Sequence, residues 1–457
     1  MSQSSLHKTL VASLCNFLTA GAIVAGGSGL SLWEKYLGLA GNDSGWLNSL
    51  SANGAGAAIG ALLGGFLADK YGRRNVFTYN TLVYMFGVLL ICTASSFNQL
   101  LLGFVVTGIA AGISVPSSWT YICECSGPDN RGRNMALSQL AWGLGPAIVL
   151  MFSTLMAPGG QMFDWVVSVA DSFGVRSNHT NAVNVYASRI VFASLFVISF
   201  ITWLLQRRLE PSDEWLQQKD SIDRSKSLFN TFKVFTSGKY RVTFFMLINM
   251  YLTWNIVASL MGFFQQHIYE TAGNLSNLVA SQFMIGQWFL TCILTLIGAF
   301  YIDKFEHRKQ LVGFLSFGCL AWLMLIVLGI DDMPSLYIIT FLWAAQAGVS
   351  VQLFFALWGV ELFPFIYRAT AIGFMFFIVR IFSAVANFIF SALIAGENVA
   401  HGDTFLEAAG SSILMLLLLI VSGYIGWKFA PETRNKSLSQ ISDERYGEDH
   451  TKEHYGE

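Results

Sequence analysis

Gly65-Phe66-Leu67-Ala68-Asp69-Lys70-Tyr71-Gly72-Arg73-Arg74 places a dense polar turn between two long apolar runs. A second turn of similar make, Asp303-Lys304-Phe305-Glu306-His307-Arg308, begins 234 positions after Asp69. Glu124 precedes Arg131 by seven residues and Glu361 precedes Arg368 by the same seven, at an offset of 237. Two polar signatures returning at nearly one offset mark an internal duplication, each copy carrying one charged turn and one Glu-to-Arg step at the ends of apolar segments.

Those apolar segments belong in lipid. The 457 residues are 54% hydrophobic and 12% charged, about half the charge of an ordinary soluble domain, so a water-exposed globule is excluded. Apolar stretches lie at 10–33, 44–68, 75–95, 98–122, 134–157, 184–206, 241–268, 278–302, 310–330, 335–360, 368–396 and 409–430. Each is long enough for a hydrocarbon core of ~30 Å. The first is too long for a signal-peptide core and reads as a retained span. The expected fold is an all-α membrane protein of twelve transmembrane helices in two pseudo-symmetric six-helix bundles. Its parts are an N-terminal bundle at 1–206, a polar linker at 207–240, a C-terminal bundle at 241–430 and a charged tail at 431–457.

Orientation follows from the distribution of Lys and Arg. Segments on one side hold 23 of the 27 basic residues, leaving only Lys35, Arg176, Arg189 and Arg380 elsewhere. By the positive-inside rule both termini and the linker are cytoplasmic. The short loops suggest a bacterial inner membrane. A net charge of −1 gives no global attraction to nucleic acid. The six cysteines lie mostly inside apolar runs, and Cys123 and Cys125 lack histidine partners, so neither a disulfide frame nor a metal site is expected.

The turn at 65–74 resembles the G-x-x-x-D-R/K-x-G-R-R/K loop of the major facilitator superfamily. Glu361-Leu362-Phe363-Pro364 with Arg368, and Pro431-Glu432-Thr433-Arg434, resemble the sugar porters and the related metabolite and organic-ion transporters. The resemblance spans the whole chain and implies a secondary transporter moving a sugar, polyol or related small polar metabolite by alternating access. It also implies a cytoplasmic gate in which Asp69, Arg73, Glu124, Arg131, Asp303, Arg308, Glu361 and Arg368 pair when the inner face is closed. Plain positive-inside anchoring is the alternative for these charges. Glu306 and His307 depart from the loop pattern, which predicts a weaker second-half latch.

Arg380 lies twelve residues past Arg368, roughly 18 Å along a helix and so near mid-membrane. A guanidinium at that depth is costly unless it faces a cavity or partner, so it marks a functional path. Its fixed donors suit a carboxylate or several hydroxyls, which keeps transport of an anionic metabolite open beside sugar transport. Amides and aromatics suit sugars, because amides exchange hydrogen bonds with hydroxyls and rings cover apolar sugar faces. The candidate binding residues are Gln139, Trp142, Asn249, Thr253, Asn255, Gln282, Gln346, Arg380 and Asn387, with Gln139 where sugar porters keep a binding glutamine. Asn249 and Asn255 stand about 120° apart on a straight helix, so both reach one cavity only if that helix unwinds.

Proton-driven sugar porters carry a carboxylate midway along the first span, paired with an arginine of the fourth. Here the first span has no acid, and Phe104 stands where the arginine is expected. Uniport and proton symport both stay open. A non-transporting solute receptor is a further alternative, while an enzyme lacks any nucleophile, metal cluster or acid–base pair at matched depth. No cofactor is expected, and the chain is expected to act as a monomer.

Overall fold

A computed structural model describes residues 3–39, 43, 46–47, 50–52, 54–175, 180–218, 228–271, 277–328, 333–394 and 409–455, with backbone alone at 218, 263–264, 266–268, 270–271, 277–278, 387–388, 390–394, 409–411 and 453–455. The first half contains α1 (Ser5–Leu37), α2 (Ala55–Tyr71), α3 (Arg73–Cys92), α4 (Phe97–Glu124), α5 (Arg131–Met156), α6 (Phe163–Ser172) and α7 (Thr180–Gln206). The linker forms α8 (Asp213–Gln218) and α9 (Leu228–Thr236). The second half contains α10 (Arg241–Thr271), α11 (Asn277–Ala299), α12 (His307–Leu328), α13 (Met333–Gly348), α14 (Val351–Glu361), α15 (Arg368–Ile394) and α16 (Ala409–Phe429). The tail adds α17 (Leu438–Tyr446) and α18 (Glu448–Tyr455).

Eleven helical segments among the described residues are long and apolar enough to cross a membrane. Ala55–Tyr71, with 17 described residues, completes the expected twelve. The start of the expected 44–68 span lies largely outside the described residues.

Local chemistry sets the helix ends. The Ser4 hydroxyl accepts the His7 N–H to open α1, and Gly38 closes it in the left-handed region at φ 64°. Gly72, at φ 93° and ψ 135°, lets α2 and α3 meet with one residue between them. That conformation is open to glycine and strained for any other residue, which explains its place in the polar turn. The expected 335–360 span is divided at Val349-Ser350, where Ser350 takes an extended backbone between α13 and α14. Between the fifth and sixth expected spans lies α6, which packs on α7.

Within the first half α1 packs on α5, and α2 and α3 on α4. A β-carbon on Gly60 would collide with the Ile109 carbonyl, so the glycine face of α2 serves close packing, as its spacing suggests. In the second half α12 packs on α13 and α16, and α10 on α15 and α16. The halves meet through α2 with α15 and through α5 with α11. These seams are pseudo-symmetry mates, since α2 corresponds to α11 and α5 to α15. At the first seam a β-carbon on Gly65 would strike the carbonyl of Ala369, so the two backbones touch where the side chain is missing.

Candidate functional site

A cavity of about 310 Å³ lies between the halves, bordered by residues of both. Its polar wall consists of six amides (Gln139, Asn255, Gln265, Gln287, Gln346 and Gln352), the hydroxyls of Ser28, Ser51, Thr107, Ser259 and Thr291, and the Arg380 guanidinium. Trp142, Trp254, Trp288 and Trp343 supply flat apolar surface. Among the described residues bordering it there is no carboxylate. Such a lining offers paired donors and acceptors beside ring faces, the chemistry that an uncharged polyhydroxylated ring requires.

Helix phase decides which expected residues reach this space. Gln139, Trp142, Asn255, Gln346 and Arg380 border it. Asn249 does not: it is exposed, and its Nδ2 donates to the Phe245 carbonyl of its own helix at 2.7 Å. Because α10 is one continuous helix, Asn249 and Asn255 cannot share a face. Thr253 likewise turns its hydroxyl back to the Asn249 carbonyl at 2.9 Å. Gln282 is exposed, whereas Gln287, five residues later, faces the cavity. The side chain of Asn387 lies outside the described residues.

The structure adds Ser259 and Gln265, both on α10. With Trp254, Asn255, Ala258 and Gly262 they form one stripe at helical spacing, a signal that extending the period from Asn255 would have revealed. Gln265 and Gln287 exchange amide hydrogen bonds, and the Gln265 Nε2 and Thr340 Oγ1 both contact the Tyr269 hydroxyl, at 2.6 and 3.0 Å. Asn255 Oδ1 accepts from Ser383 at 2.8 Å. Gln352 Nε2 donates to Gln139 Oε1 at 3.3 Å, a bond that joins the two halves at the cavity. Arg380 is 4% exposed, with its guanidinium 4.8 Å from the centre of the Phe376 ring. A buried guanidinium against an aromatic face is held without losing its hydrogen-bonding fork.

At Phe104, where the resemblance leads to the expectation of an arginine, the contact with α1 is apolar. Phe104 stands so close to α1 that a β-carbon on Gly26 would come within 2.7 Å of its Cε1, and the ring meets Phe192 edge-on at 5.9 Å.

The linker end of the bundle is closed by charge. Asp69 accepts the N–H groups of Ala369 and Thr370 at 3.2 and 2.7 Å and the Thr370 hydroxyl at 2.7 Å, capping the start of α15. Arg73 pairs with Asp69 at 3.0 Å and with Glu124 at 2.9 Å. Arg368 pairs with Glu124 at 3.4 Å and with Glu214 of the linker at 2.9 Å. Arg131 pairs with Glu361 at 3.0 Å. Partners that repeat within each half are therefore crossed over: Arg131 takes the glutamate of the other half, and Arg368 the Glu124 carboxylate.

Asp303 does not pair with Arg308. Its Oδ2 accepts the Arg133 N–H at 2.8 Å at the start of α5, while Arg308 donates to the Ala430 and Trp427 carbonyls at 3.2 and 3.4 Å. Burial pushes the Asp303 carboxyl above the usual carboxylate range, opposed by that backbone bond and by His307. The linker and tail also contribute, unforeseen from the sequence. Ser212 donates to Glu124 at 2.6 Å, and the Lys436 carbonyl accepts from Arg131 at 3.4 Å.

The chain matches the Major Facilitator Superfamily over residues 10–387. It is 35% identical over 446 residues to the "Minor myo-inositol transporter IolF" of Bacillus subtilis (strain 168), covering 96% of this chain and 94% of that one. It is 24% identical to the "Glucose transporter GlcP" of Staphylococcus epidermidis, covering 85% and 86%. Among solved structures, the proton:xylose symporter XylE superposes with a TM-score of 0.76 at 18% identity over 96% of this chain and 99% of that one. The Escherichia coli fucose:proton symporter FucP gives 0.66 at 13% identity, over 94% and 100%. The chain belongs to the Major Facilitator Superfamily. It is thus a multi-pass membrane transporter and not an enzyme.

Proposed function

We propose that this chain carries a cyclic polyol of the inositol type, or a related hexose, across a bacterial inner membrane by alternating access. The observation that carries this reading is the cavity between the halves, with its six amides, four tryptophans and, among the described lining residues, no carboxylate. The 35% identity to a protein named as a myo-inositol transporter supports the same substrate class. Gln139, Trp142, Asn255, Gln346 and Arg380 contact the solute. The Asp69, Arg73, Glu124, Arg131, Glu361 and Arg368 network, with Asp303 at the second seam, closes the cytoplasmic side.

In this reading both termini and the linker are cytoplasmic, and 1–206 and 241–430 rock against each other about the cavity. The transporter acts as a monomer. The apolar contact of Phe104 with α1 favours movement of solute down its own gradient over a proton relay at that place. Counterflow in proteoliposomes tests the reading: preloaded myo-inositol should drive entry of labelled myo-inositol and be competed by hexoses. Absence of exchange with every cyclitol and hexose, from protein that remains folded, would overturn it.

A further inference from the structure

Of the six amides bordering the cavity, Gln346 is the one for which neither amide atom has a hydrogen-bond partner among the described residues. It is fully buried at the cavity wall on α13, next to Ala347. The other five are engaged: Gln265 with Gln287, Asn255 with Ser383, and Gln139 with Gln352. A buried carboxamide left without donor or acceptor is costly, and a ligand that supplies both removes that cost.

The stem of Gln346 is positioned by a residue that does not border the cavity. A β-carbon on Gly318 of α12 would come within 2.8 Å of Gln346 Cγ and 3.4 Å of its Cβ. The absence of that carbon makes the groove in which the side chain lies.

We propose that Gly318 and Gln346 form a recognition couple. Gly318 sets the rotamer from which the Gln346 amide reads two adjacent hydroxyls of a neutral ring, donating from Nε2 to one and accepting at Oε1 from the other. The inference rests on the polyol reading and deepens it. A vicinal diol presents one donor and one acceptor side by side, matching the amide, whereas a carboxylate offers acceptors only and leaves Oε1 unpaired. In this couple Gln346 determines specificity, and Gly318 is a positioning residue.

The test is a double-mutant cycle on the purified full chain, with myo-inositol and D-glucose as probes and both affinity and melting temperature measured. Gln346→Ala should bind myo-inositol roughly tenfold more weakly. Gly318→Ala should cause a similar loss alone and none further in the Gln346→Ala background, where the added methyl meets the residue 346 β-carbon and Leu419 Cδ1 only at about 3.4 Å. Equal falls in melting temperature in both backgrounds with unchanged affinity would make Gly318 a packing residue and overturn the couple. Gln346→Leu keeps the length without hydrogen bonds, so it decides the matter should Gly318→Ala fail to fold; wild-type affinity there overturns the proposal. A natural chain that binds neither probe would instead overturn the polyol reading itself.

Discussion

Arg131 and Glu361, 230 positions apart in sequence, meet at 3.0 Å with their side chains 5% and 2% exposed. Each begins or ends a helix of a different half, so in the proposed alternating-access cycle the contact breaks when the linker end opens. Its strength as a latch comes from the penalty of breaking it, since a lone charge left in that site has lost its water and gained no partner.

Arg131→Ala should therefore shift the population toward the state open at the linker end, with loss of a buried partner costing on the order of 3–5 kcal/mol. Even part of that is enough to move a two-state equilibrium across its midpoint. Accessibility of cysteines placed at the linker-side seam should rise. The charge-reversed pair Arg131→Glu with Glu361→Arg should restore flux. Unchanged accessibility with normal flux would remove the latch.

Arg380→Ala should weaken solute binding by roughly ten- to a hundredfold, the equivalent of about 1.5–3 kcal/mol. Arg380→Lys should rescue poorly, because an ammonium keeps the charge without the planar fork. Affinity and melting temperature measured together separate this from a structural role, in which stability falls and the surviving protein binds normally.

Asn249 and Asn255 are only six residues apart yet should behave oppositely. Asn249→Ala, on an exposed face, should change stability by less than about 0.5 kcal/mol and leave transport intact. Asn255→Ala removes the acceptor of Ser383 at the cavity wall and should lower affinity for myo-inositol. A transport defect in Asn249→Ala would mean that α10 does unwind during the cycle.

Uptake should depend only modestly on an imposed pH gradient, because Phe104 and Gly26 occupy the helix contact where a carboxylate–arginine relay would sit. Proteoliposome uptake with and without an inside-alkaline gradient measures this. Uphill accumulation abolished by an uncoupler would require a relay elsewhere and direct attention to Glu34, Glu124, Glu270 and Glu361.

Gly65→Val should impair transport, because it adds a branched side chain where even a β-carbon has no room. The side chain would press on the Ala369 carbonyl and hold α2 off α15. Binding measured from the linker side should survive, whereas closure of that side, followed by cysteine accessibility, should fail.

The architecture was legible because hydropathy over ~20 residues and two repeated polar turns are long-range, redundant signals. The polar turn at 65–74 lies at a seam between the halves, where Asp69 and Gly65 both touch α15, but nothing in the turn itself names that partner. The cavity was only half legible. An amide inside an apolar run announces that it needs a partner, but the identity of that partner depends on helix phase. Asn255 found the cavity, while Asn249 and Thr253 found carbonyls one turn back. Gln265 was not legible because it lies nearly three turns beyond the polar cluster of α10 that ends at Asn255. The crossed ion pairs were hidden for another reason: a repeated motif shows what each half carries, not that each half uses it on the other.

That exchange has a further consequence in the two aspartates. Asp69 of the first half caps α15 of the second, and Asp303 of the second caps α5 of the first. They are one kind of contact made twice, once at each seam, the arrangement that a self-complementary patch produces when two copies meet about a two-fold axis. The closed face thus has, within one polypeptide, the geometry of an isologous interface. Each half carries one such aspartate and one such helix start, so each seam is built from one element of either half.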